Sequence, residues 1–261
     1  MKLIFTDLDG TLLDHDDYSF TAAKKGLQLV KKQKIPIIFC TSKTRSELLY
    51  WRKLTHNQHP FISENGGGIF IPISYFPFTF KHTKKVDSFF LIRLGAPKNR
   101  LTTAMNALEK DFDLTSFQSM DNKTIMNYTN LPFDQAKLAS KREFDIPFVL
   151  HNETQIEKIS NRIYDQDLSL TKGGRFYHLI GNNDKGKAVR ILINLFKQIY
   201  DLIDSIGIGD SENDFSMLEA VNKPYLVKKP DGTYASNDFL HSDGIGPSGW
   251  QKIIEKEFKT S

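Results

Sequence analysis

Two aspartates separated by one residue follow the first apolar run of this chain, and they constrain its fold more than any other feature. The run Lys2–Thr6 has the composition of a short buried strand, and Asp7 and Asp9 stand directly after it, before the turn residue Gly10. If the chain turns after Asp7, both carboxylates converge beyond the carboxyl end of the strand, where open parallel α/β sheets bind ligands. Paired acids there suit a Mg2+ ion and covalent phosphoryl transfer, whereas solvated acids in a common Asp-Gly turn are the simpler alternative.

Apolar runs and amphipathic stretches alternate along the first 72 residues and again after residue 185. This alternation favours a parallel sheet with right-handed crossovers. The stretch between them is less regular, with a strand pattern at 88–94, and a segment rich in proline and aromatic residues precedes it. We therefore predict an α/β fold, with a Rossmann-like doubly wound parallel sheet core and an inserted α+β cap domain. The predicted boundaries are 1–80 and 185–261 for the core and 84–181 for the cap.

The composition argues against several classes of function. A hydrophobic fraction of 39%, a charged fraction of 25% and a net charge of +4 are those of an ordinary globular protein. Because no basic stripe with interleaved aromatic residues appears, nucleic acid is not an expected partner. No stretch approaches the ~18 apolar residues of a membrane span, so no membrane is expected either. The single cysteine, Cys40, lies in an apolar run, which favours a buried thiol and a reducing, cytoplasmic location. The protein is expected to be either a monomer or a homodimer.

Three later segments also place polar residues at the ends of predicted strands or at the beginnings of predicted helices. Thr41 follows the second apolar run, where its hydroxyl can donate to a phosphoryl oxygen, although hydroxyl residues at 41–44 also suit a helix N-cap. Lys185 opens a helix, where the helix dipole disfavours a cation, so a lysine that stabilises charge on phosphoryl oxygens is a better explanation than a surface lysine. Lys187 is the alternative residue for that role. The third segment, 208–214, ends an apolar strand in Gly-Asp and supplies the oxygen ligands that Mg2+ prefers from Asp210 and Asp214.

Together these four segments resemble the motifs of the haloacid dehalogenase-like superfamily, which consists mostly of phosphatases. The resemblance implies that Asp7 is the nucleophile and that Asp9 protonates the leaving group and then activates water. It implies that Thr41 binds the phosphoryl group and that Lys185 balances its charge. The implied Mg2+ ligands are Asp7, Asp210, Asp214 and the backbone carbonyl of Asp9.

The central insertion resembles the subclass IIB cap of this superfamily. Together with 42–44 and 64–68, the segments 141–148 and 172–179 are similar to the mannosyl-3-phosphoglycerate phosphatases. This resemblance implies a small phosphorylated sugar-acid substrate, Mg2+ as the cofactor and mannosylglycerate as a product. The implied substrate-binding residues are Ser42, Lys43, Asn65, Gly66, Arg142, Lys172, Gly174, Arg175 and Asn213. Several of them also have structural explanations: a tight turn for the glycines, a surface ion pair for Arg142, and a satisfied buried role for the neighbouring His178.

One position departs from that group. Where the group usually has an acidic residue before the Pro-Phe of 141–148, this chain has Ile146. If that acid contacts sugar hydroxyls, the glucosyl analogue or another phosphorylated sugar acid becomes an alternative substrate. A sugar phosphomutase and a catalytically idle binding protein are the alternative functions. A dehalogenase is disfavoured, because that branch lacks an acid at the position of Asp9.

Overall fold

The computed structural model describes residues 1–173 and 176–259. Its strands are β1 Lys2–Thr6, β2 Ile37–Cys40, β3 Phe61–Ser63, β4 Gly68–Pro72, β5 Lys84–Val86, β6 Phe89–Arg93, β7 Leu114–Ser116, β8 Asp145–Leu150, β9 Ser169–Gly173, β10 Phe176–Ile180, β11 Asp204–Gly209, β12 Lys223–Lys228 and β13 Leu240–Ile245. Its α-helices are α1 Lys24–Lys32, α2 Arg45–Thr55, α3 Lys98–Asp111, α4 Asn122–Thr129, α5 Phe133–Ala139, α6 Ile156–Tyr164, α7 Lys185–Phe196, α8 Phe215–Leu218 and α9 Gly246–Phe258. Short 3-10 turns lie at Thr21–Ala23, Glu64–Gly66, Glu153–Gln155 and Glu212–Asp214.

Among the described residues, the larger sheet has nine strands in the order β13-β12-β11-β1-β2-β3-β4-β6-β5. Strands from β13 to β3 are parallel to their neighbours, and β4, β6 and β5 continue the sheet antiparallel. Alternating residues of β1 enter separate apolar clusters: Ile4 packs with α9, whereas Leu3 and Phe5 pack with α7. Helices therefore cover both faces of the parallel part, and the predicted doubly wound α/β core is confirmed.

In the part of the chain that the structure describes, the smaller sheet has four antiparallel strands in the order β7-β8-β10-β9. Side chains from α3, α6 and the sheet form an apolar cluster around Phe148, with Leu101, Ile159 and Leu179 at its centre. This unit is inserted between β6 and α7, as expected for an α+β cap.

The predicted cap boundary at residue 84 was wrong for the first two strands of that stretch. Strands β5 and β6 hydrogen-bond to each other, and β6 pairs with β4 in the large sheet. The proline- and aromatic-rich segment before them packs on the core, because Phe76 is buried and the centroid of its ring lies 5.1 Å from that of Phe196 in α7. Buried aromatic side chains, and the pairing of β6 with the core strand β4, therefore hold residues 73–93 on the core.

Among the described elements, four were not predicted from the sequence: β5, β7, α4 and β13. All are short or lie next to turn residues, so their periodicity is weak. Among the described residues, no helix combines the length and apolar character needed to cross a bilayer.

Candidate active site

The carboxyl ends of the central strands bring three acids together. Asp7 leaves β1 with its backbone N–H bonded to Ile208 of β11 at 2.9 Å, so it stands beside the end of that neighbouring strand. Asp210 follows β11, and Asp214 lies in the 3-10 turn after it. Carboxylate oxygens of Asp7, Asp210 and Asp214 lie within 4.8 Å of one another.

Lys185 lies between two of these acids. Its Nζ donates to Oδ1 of Asp7 at 2.9 Å and to Oδ1 of Asp214 at 2.6 Å, and its side chain is fully buried. Burial alone would lower the pKa of this lysine, but the two carboxylates outweigh burial and raise it, so the ammonium stays charged. The competing Lys187 is exposed and bonds instead to the carbonyl of Asn182.

The acids carry more negative charge than Lys185 balances. Burial raises the pKa of Asp7 to about 7, against the lowering effect of Lys185, with Asp214 and Asp9 raising it further. Burial, together with the charges of Asp214 and Asp7, raises the pKa of Asp210 well above its usual range. When all three carboxylates are ionised, one ammonium leaves two negative charges unbalanced, and oxygen-only donors suit a hard divalent cation. The residues present therefore fit Mg2+.

Local hydrogen bonds hold this loop in shape. Oδ2 of Asp214 accepts from the backbone N–H groups of Asp210 and Ser211, at 3.0 and 3.1 Å. The hydroxyl of Thr11 donates to Oδ1 of Asp210 at 2.9 Å. Thr11 belongs to the opening motif, but its role was missed because it depends on a contact across 199 residues of sequence.

Asp9 stands apart from the three acids and pairs with Lys43. The Lys43 Nζ lies 3.0 Å from Oδ1 of Asp9 and 3.3 Å from Oε1 of Glu47. Burial would lower the pKa of Lys43, but Asp9 and Glu47 raise it above its usual range. Lys43, predicted to bind substrate, thus fixes the carboxylate predicted to act as the acid and base.

The other residues of the second motif have different surroundings. Thr41 is fully buried and accepts from the backbone N–H of Lys43 at 3.4 Å. Thr44 is the N-cap of α2, where it forms a capping box with Glu47. Ser42 is half-buried and accepts from Arg142 of the cap through its carbonyl, at 2.6 Å.

A cavity of about 490 Å³ lies between core and cap and opens onto this site. Eight of the predicted site residues line it: Asp7, Asp9, Ser42, Lys43, Arg142, Lys172, Asp210 and Asn213. Thr41, Asn65, Gly66, Lys185 and Asp214 are outside its lining. Gly174 and Arg175 lie outside the described residues.

The cap contributes a buried charge cluster to the cavity. Nη1 of Arg142 pairs with Oδ1 of Asp145 at 3.0 Å, and Nδ1 of His178 lies 2.9 Å from Oδ2 of the same carboxylate. Arg142 and His178 both line the cavity. The pKa of Asp145 lies below its usual range, because Arg142 and His178 outweigh the raising effect of burial.

Glu64 joins this cluster to the core and was missed in the sequence analysis, which considered only its neighbours. Its Oε2 accepts from the backbone N–H groups of Glu143, Phe144 and Asp145 at 2.9, 2.7 and 3.0 Å. The Phe144 ring packs among residues of the core. An acid before a glycine run was the available signal, but its partners lie about 80 residues away.

The turn residues predicted to touch substrate are held by the protein itself. Asn65 donates to Asp145 at 3.4 Å and accepts from Asn213 at 3.1 Å. Gly66 has a φ of +86°, and a Cβ there would lie 2.1 Å from the carbonyl oxygen of Asp184. Its glycine is therefore explained by the close approach of the backbone before α7 rather than by a ligand.

Residue 146 faces away from the cavity. Ile146 is 3% exposed and packs in the apolar cluster of the cap, whereas its neighbour Pro147 lines the cavity. Successive residues of a strand point to opposite faces of the sheet. The departure at Ile146 therefore does not alter the cavity wall directly.

Comparisons with known proteins agree with the resemblance seen in the sequence. A family profile described as haloacid dehalogenase-like hydrolase matches residues 4–231. A relative from Methanococcoides burtonii, named glucosyl-3-phosphoglycerate/mannosyl-3-phosphoglycerate phosphatase, is 44% identical over 259 residues, which cover 97% of this chain and 95% of the relative. A mannosyl-3-phosphoglycerate phosphatase from Pyrococcus horikoshii is 36% identical over 227 residues, which cover 87% of this chain and 90% of that one.

Solved structures share the fold at low sequence identity. Protein 0175 of Thermoplasma acidophilum has a TM-score of 0.69 at 17% identity, covering 99% of this chain and 98% of its own. The sugar phosphatase BT4131, of subclass IIB, has a TM-score of 0.67 at 16% identity, covering 98% of this chain and 97% of its own. At such identity the likeness concerns the fold, core and cap together.

Proposed function

Since this chain belongs to the haloacid dehalogenase-like hydrolases, as a phosphoric monoester hydrolase, we propose that it releases phosphate from glycosyl-3-phosphoglycerates through an aspartyl-phosphate. One observation carries the proposal: the buried Lys185 holds Asp7 at the floor of a cavity whose walls also carry Asp9 and the charged cap residue Arg142. A phosphate ester with a second anionic group and a sugar suits such a cavity.

The reaction proceeds in two displacements. An oxygen of Asp7 attacks phosphorus in line, and the bond from phosphorus to the substrate oxygen breaks while Asp9 gives its proton to that oxygen. Asp9 then takes a proton from water, the water oxygen attacks phosphorus, and the Asp7 carboxylate leaves. Lys185 balances the charge on the phosphoryl oxygens in both steps. The ion pair with Lys43 keeps Asp9 directed into the cavity.

Mg2+ is the proposed cofactor. Asp7, Asp210 and Asp214 would hold it together with the backbone carbonyl of Asp9, and when bound it would offset charge on the transferring phosphoryl group. The hydrogen bonds from Thr11 and from the backbone to Asp210 and Asp214 pre-orient two of these acids.

Both the mannosyl and the glucosyl ester are proposed substrates. The relative from Methanococcoides burtonii is named for both esters, and the relative from Pyrococcus horikoshii for the mannosyl ester. Because Ile146 lies outside the cavity wall, its side chain gives no reason to exclude either sugar. The single buried cysteine suits a cytoplasmic location.

Phosphate release with Mg2+ tests the proposal. The panel holds mannosyl- and glucosyl-3-phosphoglycerate, hexose phosphates and p-nitrophenyl phosphate. We expect the two glycosyl-phosphoglycerates to have the highest kcat/KM, and Asp7→Asn to abolish release while the exposed Asp231→Asn retains it. Equal slow hydrolysis of the whole panel would overturn the substrate assignment. Turnover by Asp7→Asn would overturn the mechanism, and an isomerised sugar phosphate in place of free phosphate would indicate a mutase.

A further inference from the structure

We propose that Lys229 binds the carboxylate of the substrate and so selects phosphate esters that carry a second anion close to the phosphate. Lys229 lines the same cavity as Asp7 but did not figure in the sequence analysis. The inference rests on the proposed function, because it assigns a partner to the carboxylate of a phosphoglycerate.

The other described cations of the cavity already have partners. Lys43 is paired with Asp9 and Glu47. Arg142 is bonded to Asp145 and to two backbone carbonyls, and Lys172 is bonded to Glu153 and the Tyr177 hydroxyl. An anion that recruited any of them would have to break or share an existing ion pair.

Lys229 has no such partner among the described residues. Within residues 1–173 and 176–259, its ammonium forms no ion pair or hydrogen bond, and the residue is half-buried. The pKa of Asp231 lies below its usual range because of hydrogen bonds from Thr233, with a smaller contribution from the charge of Lys229. The Asp231 carboxylate is exposed and accepts from Thr233, so it leaves the lysine available.

Two adjacent lysines at the end of β12 have different surroundings. Nζ of Lys228 lies 3.4 Å from Oδ1 of Asp243 and over the ring of Tyr234. Lys229, the next residue, lines the cavity instead. Both are partly buried and carry the same charge. The pair therefore offers a matched comparison in which only the surroundings differ.

The position of Lys229 determines which group of the substrate its ammonium can contact. It lies on a core loop that lines the cavity together with 210–213, a stretch that includes the acid Asp210. In a 3-phosphoglycerate unit only two carbons separate the phosphate oxygen from the carboxylate, so a core residue can reach that carboxylate. The sugar then extends towards the cap. A charge-assisted hydrogen bond in a partly enclosed site strongly favours the anionic ester.

Two small esters isolate this interaction. 3-Phosphoglycerate and glycerol 3-phosphate differ in having a carboxylate or a hydroxymethyl group, and neither carries a sugar. Their inhibition constants against hydrolysis of p-nitrophenyl phosphate are measured with Mg2+ for the wild type, Lys229→Gln and Lys228→Gln. We expect the wild type to prefer 3-phosphoglycerate, Lys229→Gln to reduce that preference by about tenfold, and Lys228→Gln to keep it.

The outcomes separate the two proposals. A preference that survives Lys229→Gln, or that Lys228→Gln reduces equally, would overturn the role of Lys229 alone. No preference in the wild type would overturn it as well. If the wild type fails to hydrolyse any ester, the proposed function fails, and the same comparison is made with dissociation constants from calorimetry.

Discussion

At the scale of single residues, the centre of this site is a buried lysine between two acids. Lys185 is 1% exposed and its ammonium reaches both Asp7 and Asp214. A buried charge is stable only when it is paired, and these three groups pair one another. The same arrangement leaves a cation beside Asp7, the proposed nucleophile, at no cost of reorganisation when charge develops there.

Replacement of this lysine by methionine removes the charge and keeps much of the side-chain volume. For Lys185→Met we expect kcat/KM to fall by about 10²–10³-fold, because the phosphoryl oxygens lose a fixed positive charge. Lys187→Met is the control, since that lysine is two residues away on the same helix and exposed. Steady-state kinetics check the prediction after circular dichroism has verified folding. Similar losses in both variants would contradict it.

At the scale of elements, the turn Glu64–Gly66 joins the sheet, the cap and the start of α7. Glu64 and Asn65 both have positive φ, at 49° and 54°, as does Gly66. Non-glycine residues in this region cost about 1–3 kcal/mol and persist where the surroundings over-determine them. Here three backbone N–H groups of the cap segment bond to Glu64, and the amide of Asn183 bonds to the carbonyl of Asn65.

Alanine at Gly66 tests how tightly this turn is packed. Its Cβ would lie 2.1 Å from the Asp184 carbonyl oxygen, so we expect Gly66→Ala to destabilise the fold by about 2–4 kcal/mol. Gly232 has a similar φ of +82°, but a Cβ at that position would have no neighbour within 4 Å among the described residues. Gly232→Ala should therefore cost only about 1 kcal/mol. Denaturant unfolding measures both, and equal costs would show that the close approach to Asp184 contributes nothing.

The acid of this turn predicts a dependence of stability on pH. Burial and the nearby Asp145 raise the pKa of Glu64 to about 8, despite the opposing effects of Arg142 and the backbone N–H groups. The folded state then binds more protons than the unfolded state between pH 4.5 and 8, so stability falls as the pH rises across this window.

Glutamine at this position cannot ionise, yet its carbonyl oxygen can accept the same three hydrogen bonds. We expect the unfolding free energy of Glu64→Gln, relative to the wild type, to increase steadily from about pH 5 to about pH 8. Urea unfolding at several pH values measures this difference. A constant difference would mean that Glu64 has an ordinary pKa in the folded protein, and a decrease would reverse the sign of the argument.

At the scale of the whole molecule, we expect the acid cluster to couple the proposed Mg2+ binding to the stability of the core. Metal ions require ionised carboxylates, and the pKa values of Asp7 and Asp210 are both raised by burial and mutual repulsion. We therefore expect Mg2+ to increase the Tm more at about pH 8 than at about pH 6. Differential scanning calorimetry checks this, with Asp210→Asn expected to lose most of the increase and Asp231→Asn to keep it. Equal increases at both pH values would contradict the coupling.

The extent of prediction from sequence differs between core and cap. The sequence could predict that four core residues lie close together: Asp7, Lys185, Asp210 and Asp214. Each stands at the end of a strand or the start of a helix, and the topology of a parallel sheet places those ends at one edge. The cap offered no such rule. The Asp145 cluster depends on the pairing of β8 with β10. The region of β5 and β6 was assigned to the cap because the pairing of β6 with β4, and of β5 with β6, is not visible in the local pattern.

The sequence by itself determined the α/β class, the presence of an inserted cap and the family, because strand–helix alternation and short motifs are local properties of the chain. Tertiary structure alone decided which cations of the described residues are paired and which, like Lys229, have no ion-pair partner among those residues. It also decided that Ile146 faces the apolar cluster of the cap and that Glu64 bonds the cap segment. The physical reason is that burial and charge pairing depend on contacts between residues that are distant in sequence.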